Sequence, residues 1–212
     1  MTADLTDILA EARIVPVLTV PDPTTAAPLA RALAAGGARC AEVTFRTSDA
    51  EQVVKAMAAE GALVVGAGTV LTAVQAERAV AAGARFVVSP GVDHEVISRC
   101  RELGVPVLPG VATATELMGA LRAGLDTVKL FPAEPLGGTA MLRALSAPFP
   151  GVRFMPTGGI DAAALPGYLA EPAVLAVGGS WMAAPALLAS GDYAEIRRLT
   201  ADAVGRSVPW PT

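Results

Sequence analysis

Lysine and histidine are nearly missing from this chain: it has two lysines, Lys55 and Lys129, and one histidine, His94. A lone histidine argues against a zinc enzyme built on several histidine ligands, and no metal is expected. The formal net charge is −4, and no basic run of the kind that neutralises nucleic-acid phosphates is present. Cysteine is scarce too. Cys40 and Cys100 have no metal-like spacing and need not pair, so a reducing, cytoplasmic setting is expected. No apolar stretch reaches membrane-spanning length free of charge. The opening MTADLTDILAEAR is acidic where a secretory signal would be basic, so neither an anchor nor a signal is expected. Aromatic residues make up 4% and charged residues 17% of the chain. The apolar fraction, 53%, is carried by small and aliphatic residues, which suits helices packed on a buried sheet. The low charge is compatible with self-association.

What the chain does have is a repeat. Short β-branched runs alternate with Ala-rich helical stretches: IVPVLTV (14–20), RCAEVTF (39–45), LVVGAGTV (63–70), RFVVSPG (85–91), VPVLPGV (105–111), TVKLFPA (127–133), VRFMPTGG (152–159) and VLAVGGS (174–180). The spacing of about 20–26 residues matches a minimal strand-loop-helix cycle. Between the runs, helices are expected to stop at glycines such as Gly36-Gly37 and Gly61. Ser48-Asp49 are cap candidates, and Pro166 interrupts the seventh helical stretch. Alternating strands and helices imply a parallel sheet covered by helices. Eight cycles in 212 residues favour a single-domain (β/α)8 (TIM) barrel over an open doubly wound sheet. The expected boundaries are 1–206 for the barrel and 207–212 for a Pro-rich tail.

In such a barrel the chemistry sits where the strands end. In AEVTFRT, Glu42, Thr44 and Arg46 share parity and hence one face, unless the strand ends before Arg46. A buried carboxylate needs a partner or a proton, so Glu42 is either half of a structural ion pair or a general acid/base beside an anion-binding arginine. Lys129 lies inside the apolar run TVKLFP. It could reach outward to water, pair with Glu42 for structure alone, or act as a nucleophile. Desolvation favours a neutral amine, and a free amine is what attacks a ketone to form a Schiff base. The Gly-Gly pairs in PTGGID and VGGSW allow backbone N–H groups to approach an oxyanion, and loops after strands 7 and 8 often hold phosphate. Asp161 is placed to cap the helix after the first of these loops, and Ser180 adds a hydroxyl to the second. In GAGTV, Thr69 would offer a hydroxyl at the mouth, while Pro90 and Pro109 mark abrupt strand ends.

Together EVTFRT, GAGTVL, SPG, PG, KLFPAE, PTGGI and GGSW, in order from Ile14 to Val204, resemble the 2-keto-3-deoxy-6-phosphogluconate (KDPG) aldolases, which include 4-hydroxy-2-oxoglutarate (KHG) aldolases. The resemblance implies a class I aldolase on a (β/α)8 barrel, usually a homotrimer, with no metal or organic cofactor. It implies Lys129 as the Schiff-base residue and Glu42 as the proton carrier. Arg46 and Thr69 would hold the pyruvate carboxylate, and Pro90 and Phe131 would pack around the pyruvyl group. Thr157, Gly158, Gly159, Gly179 and Ser180 would surround the distal end and its phosphate. Arg46 and Thr157 place the chain nearer the gluconate branch than the galactonate one. Phe45, Leu130 and Pro135-Leu136 depart from the family pattern. Two other readings stand beside this one: a phosphate-binding isomerase or synthase using Glu42 and Lys129 without a covalent bond, and a sugar-phosphate sensor with a relic site.

Overall fold

A computed structural model of the chain describes residues 5–207. Its strands are β1 (Ile14–Leu18), β2 (Cys40–Thr44), β3 (Val64–Gly68), β4 (Phe86–Val88), β5 (Val107–Leu108), β6 (Gly110–Val111), β7 (Thr127–Leu130), β8 (Arg153–Pro156) and β9 (Val177–Gly179). The helices are α1 (Leu5–Ala12), α2 (Ala26–Ala35), α3 (Ala50–Ala59), α4 (Ala73–Ala81), α5 (His94–Glu102), α6 (Ala114–Arg122), α7 (Gly138–Ser146), α8 (Leu165–Leu169), α9 (Pro185–Ser190) and α10 (Tyr193–Gly205). All the strand pairs are parallel. The strand-helix alternation read from the sequence holds, except that β5 and β6 follow one another directly and that α9, which no sequence pattern marked, precedes α10. Among the described residues no helix is long and apolar enough to cross a membrane. Of the expected tail, residues 208–212 lie outside the described residues; Ser207 follows α10 and its hydroxyl donates to the carbonyl of Val204.

A single eight-stranded sheet is not what the backbone forms. Six strands run in the order β5-β4-β3-β2-β1-β9 and three in the order β6-β7-β8. The fifth predicted strand is divided at Pro109, which has no N–H to donate, so its first half pairs with β4 and its second with β7. Between β8 and the chain leading through β9, only the isolated bridges Phe154–Val174 and Thr157–Gly178 form. The two sheets curl toward each other: Glu42 on β2 and Lys129 on β7 belong to different sheets yet touch.

Alternation along the strands sorts the core into layers. Val15, Cys40, Phe86, Val88, Leu108 and Met155 form an inner cluster between the sheets, and Leu5, Leu9 and Ala12 of α1 close it from below. The sequence reading counted no helix before the first strand, and α1 is what plugs that end. The outward faces pack on the helices in two further clusters, one around β1–β4 and one around β6–β9. Several caps follow the expected chemistry: Thr72, Asp93 and Thr113 each accept from the backbone N–H three residues on. Asp49 stands at the N-terminus of α3 but does not cap it; its carboxylate takes the Ser48 hydroxyl and the Gln52 amide instead. Pro166 does not break a helix. It sits in the first turn of the short α8, where its missing N–H has no cost.

At the closed end Arg13 is only 4% exposed, and its guanidinium donates to the carbonyls of Leu169, Val174 and Leu175. These bonds tie the start of β1 to the segment that carries β9. Replacing Arg13 with alanine leaves three buried acceptors without their charged donor. We expect Arg13→Ala to destabilise the fold by about 3 kcal/mol or more, read as a fall in the urea midpoint; a midpoint within error of wild type would show that this tie is dispensable.

Candidate active site

Glu42 is the third residue of β2, with its register partners Val17 on β1 and Gly66 on β3. Lys129 is the third residue of β7, between Gly110 on β6 and Met155 on β8. Both point inward, above the apolar inner cluster. Glu42 is fully buried and Lys129 is 5% exposed. The Lys129 amine donates to Glu42 Oε1 at 3.0 Å and approaches Oε2 at 3.4 Å. Of the three placements open to Lys129, the outward one is thus excluded. The amine also stands 5.4 Å from the centroid of the Phe131 ring. Lys55, the other lysine, is exposed on α3, and His94 is exposed at the start of α5.

Space for the carboxylate comes from β3. A Cβ on Gly68 would lie 2.0 Å from Glu42 Oε1. Two residues earlier, a Cβ on Gly66 would lie 2.2 Å from the Phe86 ring. The glycines of GAGT are therefore two consecutive inward positions, one holding the apolar floor and the next the acid. Thr69 follows with φ 55, left-handed backbone that a β-branched residue rarely adopts. Above Glu42, the Thr44 hydroxyl meets that of Thr19 at 2.9 Å.

A cavity of about 370 Å³ is lined by Arg46, Phe131, Thr157, Gly158 and Ser180 together with Val17, Thr19, Ala183 and Pro185. Glu42 and Lys129 do not line it, but Val17 is the register partner of Glu42 and the Phe131 ring stands beside the Lys129 amine. Five of the residues expected to bind substrate are thus brought together. Arg46 lies beyond the end of β2 in a turn, so it reaches the mouth from the rim and not from the strand's inner face. Thr157 is buried, and Gly178 leaves room for it, since a Cβ there would meet its hydroxyl at 2.2 Å. Gly158 has φ 104 and Gly159 φ 81, so both need glycine's freedom. Thr69, Pro90, Gly159 and Gly179 do not line this cavity. Pro90 packs its carbonyl over Gly110, the register partner of Lys129. Gly179 turns its bare Cα toward the Trp181 ring, where a Cβ would overlap at 1.9 Å.

The second Gly-Gly loop partner, Ser180, is exposed at the cavity edge, and Asp161 caps the turn before α8 by accepting from the N–H groups of Ala163 and Ala164, each at 2.9 Å. The loop also has an outer brace that the sequence reading missed. The Tyr168 hydroxyl donates to Glu134 at 2.6 Å, and the Glu134 N–H donates to the Gly158 carbonyl at 3.0 Å. Burial and the neighbouring Glu134 push the Tyr168 phenol pKa up. Nothing in the sequence marked Thr19 or Tyr168; both depend on which strands and helices become neighbours.

A family model described as KDPG and KHG aldolase matches residues 5–199. The chain belongs to that family. It is 51% identical over 195 residues to the 2-dehydro-3-deoxy-phosphogluconate aldolase of Treponema pallidum, covering 92% of this chain and 93% of that one. Among solved structures, the KDPG aldolase of Zymomonas mobilis with 3-phosphoglycerate superposes with a TM-score of 0.93 at 39% identity, over 100% of both chains. The Legionella pneumophila KDPG aldolase, with pyruvate captured at low pH as a covalent carbinolamine intermediate, superposes with a TM-score of 0.91 at 38% identity, over 95% of this chain and 98% of that one.

The cysteines take no part in this aldolase-family site. Burial, and then the nearby Glu42 charge, push the Cys40 thiol up to about 12, and burial pushes Cys100 up to about 11. Thiol reagents react with the thiolate. A disulfide reagent at pH 8 should therefore label neither cysteine in the folded protein and both once denaturant is added; rapid labelling of either in the native state would contradict this burial.

Proposed function

We propose that this chain is a class I aldolase that cleaves KDPG to pyruvate and D-glyceraldehyde 3-phosphate, and 4-hydroxy-2-oxoglutarate to pyruvate and glyoxylate. The observation that carries the reading is the buried contact of 3.0 Å between Lys129 Nζ and Glu42 Oε1. The relatives named above support it, and the Legionella structure supports a covalent route through an amine on pyruvate.

In this reading a proton passes from Nζ to the Glu42 carboxylate across their hydrogen bond, which leaves a neutral amine and a protonated, neutral Glu42 for the first step. Lys129 adds to the C2 ketone, and Glu42 gives its proton to the departing hydroxyl, which leaves as water. The cationic imine then draws the electrons of the C3–C4 bond as Glu42, directly or through a water, takes the C4 hydroxyl proton. The aldehyde leaves. The enamine that remains is protonated at C3, and water releases pyruvate from Lys129. Because the imine is the electron sink, this sequence uses no metal and no organic cofactor. Arg46 and Thr69 are assigned to the pyruvate carboxylate, and Pro90 and Phe131 to packing around the pyruvyl group. Thr157, Gly158, Gly159, Gly179 and Ser180 are assigned to the distal end, where backbone N–H groups suit a phosphate. Arg46 and Thr157 at one cavity favour the gluconate over the galactonate substrate. We also assign the protein to the cytoplasm and to a homotrimer. The two sheets are read as one functional ring, continuous through Pro109 and joined at the Thr157–Gly178 bridge.

Incubation with pyruvate and borohydride should add a reduced pyruvyl mass at Lys129. A folded protein that gives no adduct across a range of pH would remove the covalent mechanism and leave the isomerase or synthase reading. Glu42→Gln should keep some trapping while turnover falls by roughly 10²–10⁴-fold; wild-type turnover would return Glu42 to a structural role.

Gly68→Ala tests the space made for the acid. Its new methyl group would press on Glu42 from 2.0 Å, so cleavage should fall at least about tenfold while pyruvate still traps on Lys129. Gly205→Ala, in open space at the end of α10, is the control. Equal rates for both variants would show that β3 does not set the position of Glu42.

A further inference from the structure

The active-site cavity does not end at its rim. Thr19 and Pro185 line it, and the same two residues line a second cavity of about 350 Å³ that lies further out. The second cavity runs between the turn after β1, which supplies Pro21, Asp22 and Thr25, and helix α9, which supplies Leu188 and Ala189. Its size is within the usual range for small-molecule sites. Leu188 is buried at its base, and Pro21, Pro185 and Ala189 are exposed along it.

The two cavities differ in charge. The inner one has Arg46 and the Gly158 backbone, which suit an anion. None of the described residues lining the outer one is basic, and its one charged group is the Asp22 carboxylate. Asp22 is held in place by the backbone N–H of Thr24 at 2.9 Å and the Thr24 hydroxyl at 2.8 Å. A phosphate moved into the outer cavity would meet a like charge and no donor side chain other than threonine hydroxyls. An alkyl chain would meet proline, leucine and alanine and would leave no donor unsatisfied.

We propose that this outer cavity is an apolar subsite for the alkyl tail of an uncharged aldehyde, which the enzyme joins to pyruvate on Lys129. The proposal rests on the covalent reading given above. Its chemistry is that reaction run toward C–C bond formation. Glu42 removes a proton from C3 of the pyruvyl imine, and the enamine carbon attacks the aldehyde carbonyl carbon. The carbonyl oxygen takes the proton that Glu42 carries, and water hydrolyses the imine. The product is a 4-hydroxy-2-keto acid with the tail still attached, and nothing is oxidised or reduced. The tail leaves the reacting centre past Phe131, whose ring lies beside the Lys129 amine, and passes Thr19 and Pro185 on its way out.

The test measures pyruvate addition to propanal, butanal, pentanal and hexanal. The value of kcat/KM should rise by roughly fiftyfold from propanal to hexanal, as three more methylenes are buried on apolar surface. Ala189→Asp and, from the opposite wall, Thr25→Asp should each flatten that rise and leave addition to glyceraldehyde 3-phosphate unchanged. Using both variants guards against a fold defect in either one. A flat dependence on chain length in wild-type protein that still forms the pyruvate adduct would overturn the subsite alone. So would a rise that survives both variants, because the tail would then lie elsewhere. A protein that forms no adduct would overturn the covalent reading and the subsite with it.

Discussion

The contact between Lys129 and Glu42 is the constraint around which the interior is arranged. Removing two charges from water costs several kcal/mol each, and their mutual attraction does not reliably repay it, so such a pair is a poor source of stability. Loss of one partner, by contrast, leaves a buried charge alone and costs about 3–5 kcal/mol. The pair is therefore expensive to form and expensive to break. A fold that needed only a filled interior would continue the Phe86, Leu108 and Met155 layer upward. Here the layer above the apolar floor is polar, and the geometry places an acid within one proton transfer of an amine.

Holding that pair depends on what is left out as much as on what is present. Gly66 admits the Phe86 ring, Gly68 admits the Glu42 carboxylate, and Gly178 admits the Thr157 hydroxyl. Each stands on a strand and is paired with, or lies beside, the residue whose side chain it accommodates. Missing Cβ atoms thus carve the site out of the packed interior without loosening it, since the vacated volume is filled at once by a neighbour. The left-handed turn at Thr69 comes directly after the second of these glycines, so the strained residue is carried by a strand whose inward face is already fixed.

Much of this was legible in the chain because period and composition survive folding. The strand-helix alternation, the inward parity of Glu42 with Thr44, and the isolated lysine in TVKLFP needed no tertiary knowledge. What was not legible falls into two kinds. Sheet continuity depends on individual hydrogen bonds, so the fifth strand read as one run although Pro109 divides it, and the β8–β9 contact reduces to isolated bridges. Partnerships across the fold depend on which elements become neighbours. Nothing in the sequence marked Arg13, whose acceptors lie more than 150 residues away. Nothing in the sequence marked Gly68, and its purpose appears only once Glu42 is beside it.

The two ends of the molecule divide the work that these constraints create. At the closed end, α1 covers the inner cluster and Arg13 ties β1 to the last strand segment through backbone carbonyls. At the open end the strands finish in turns, glycine loops and short helices, with Ser180 exposed at the cavity edge. The Tyr168–Glu134 brace shows how such a loop stays placed without being buried: it is held from its outer side, by a phenol and a backbone N–H, so its inner side remains free. A packed, arginine-tied base lets the mouth carry strain and exposed donors, because the stability lost there is supplied by contacts that never face the substrate.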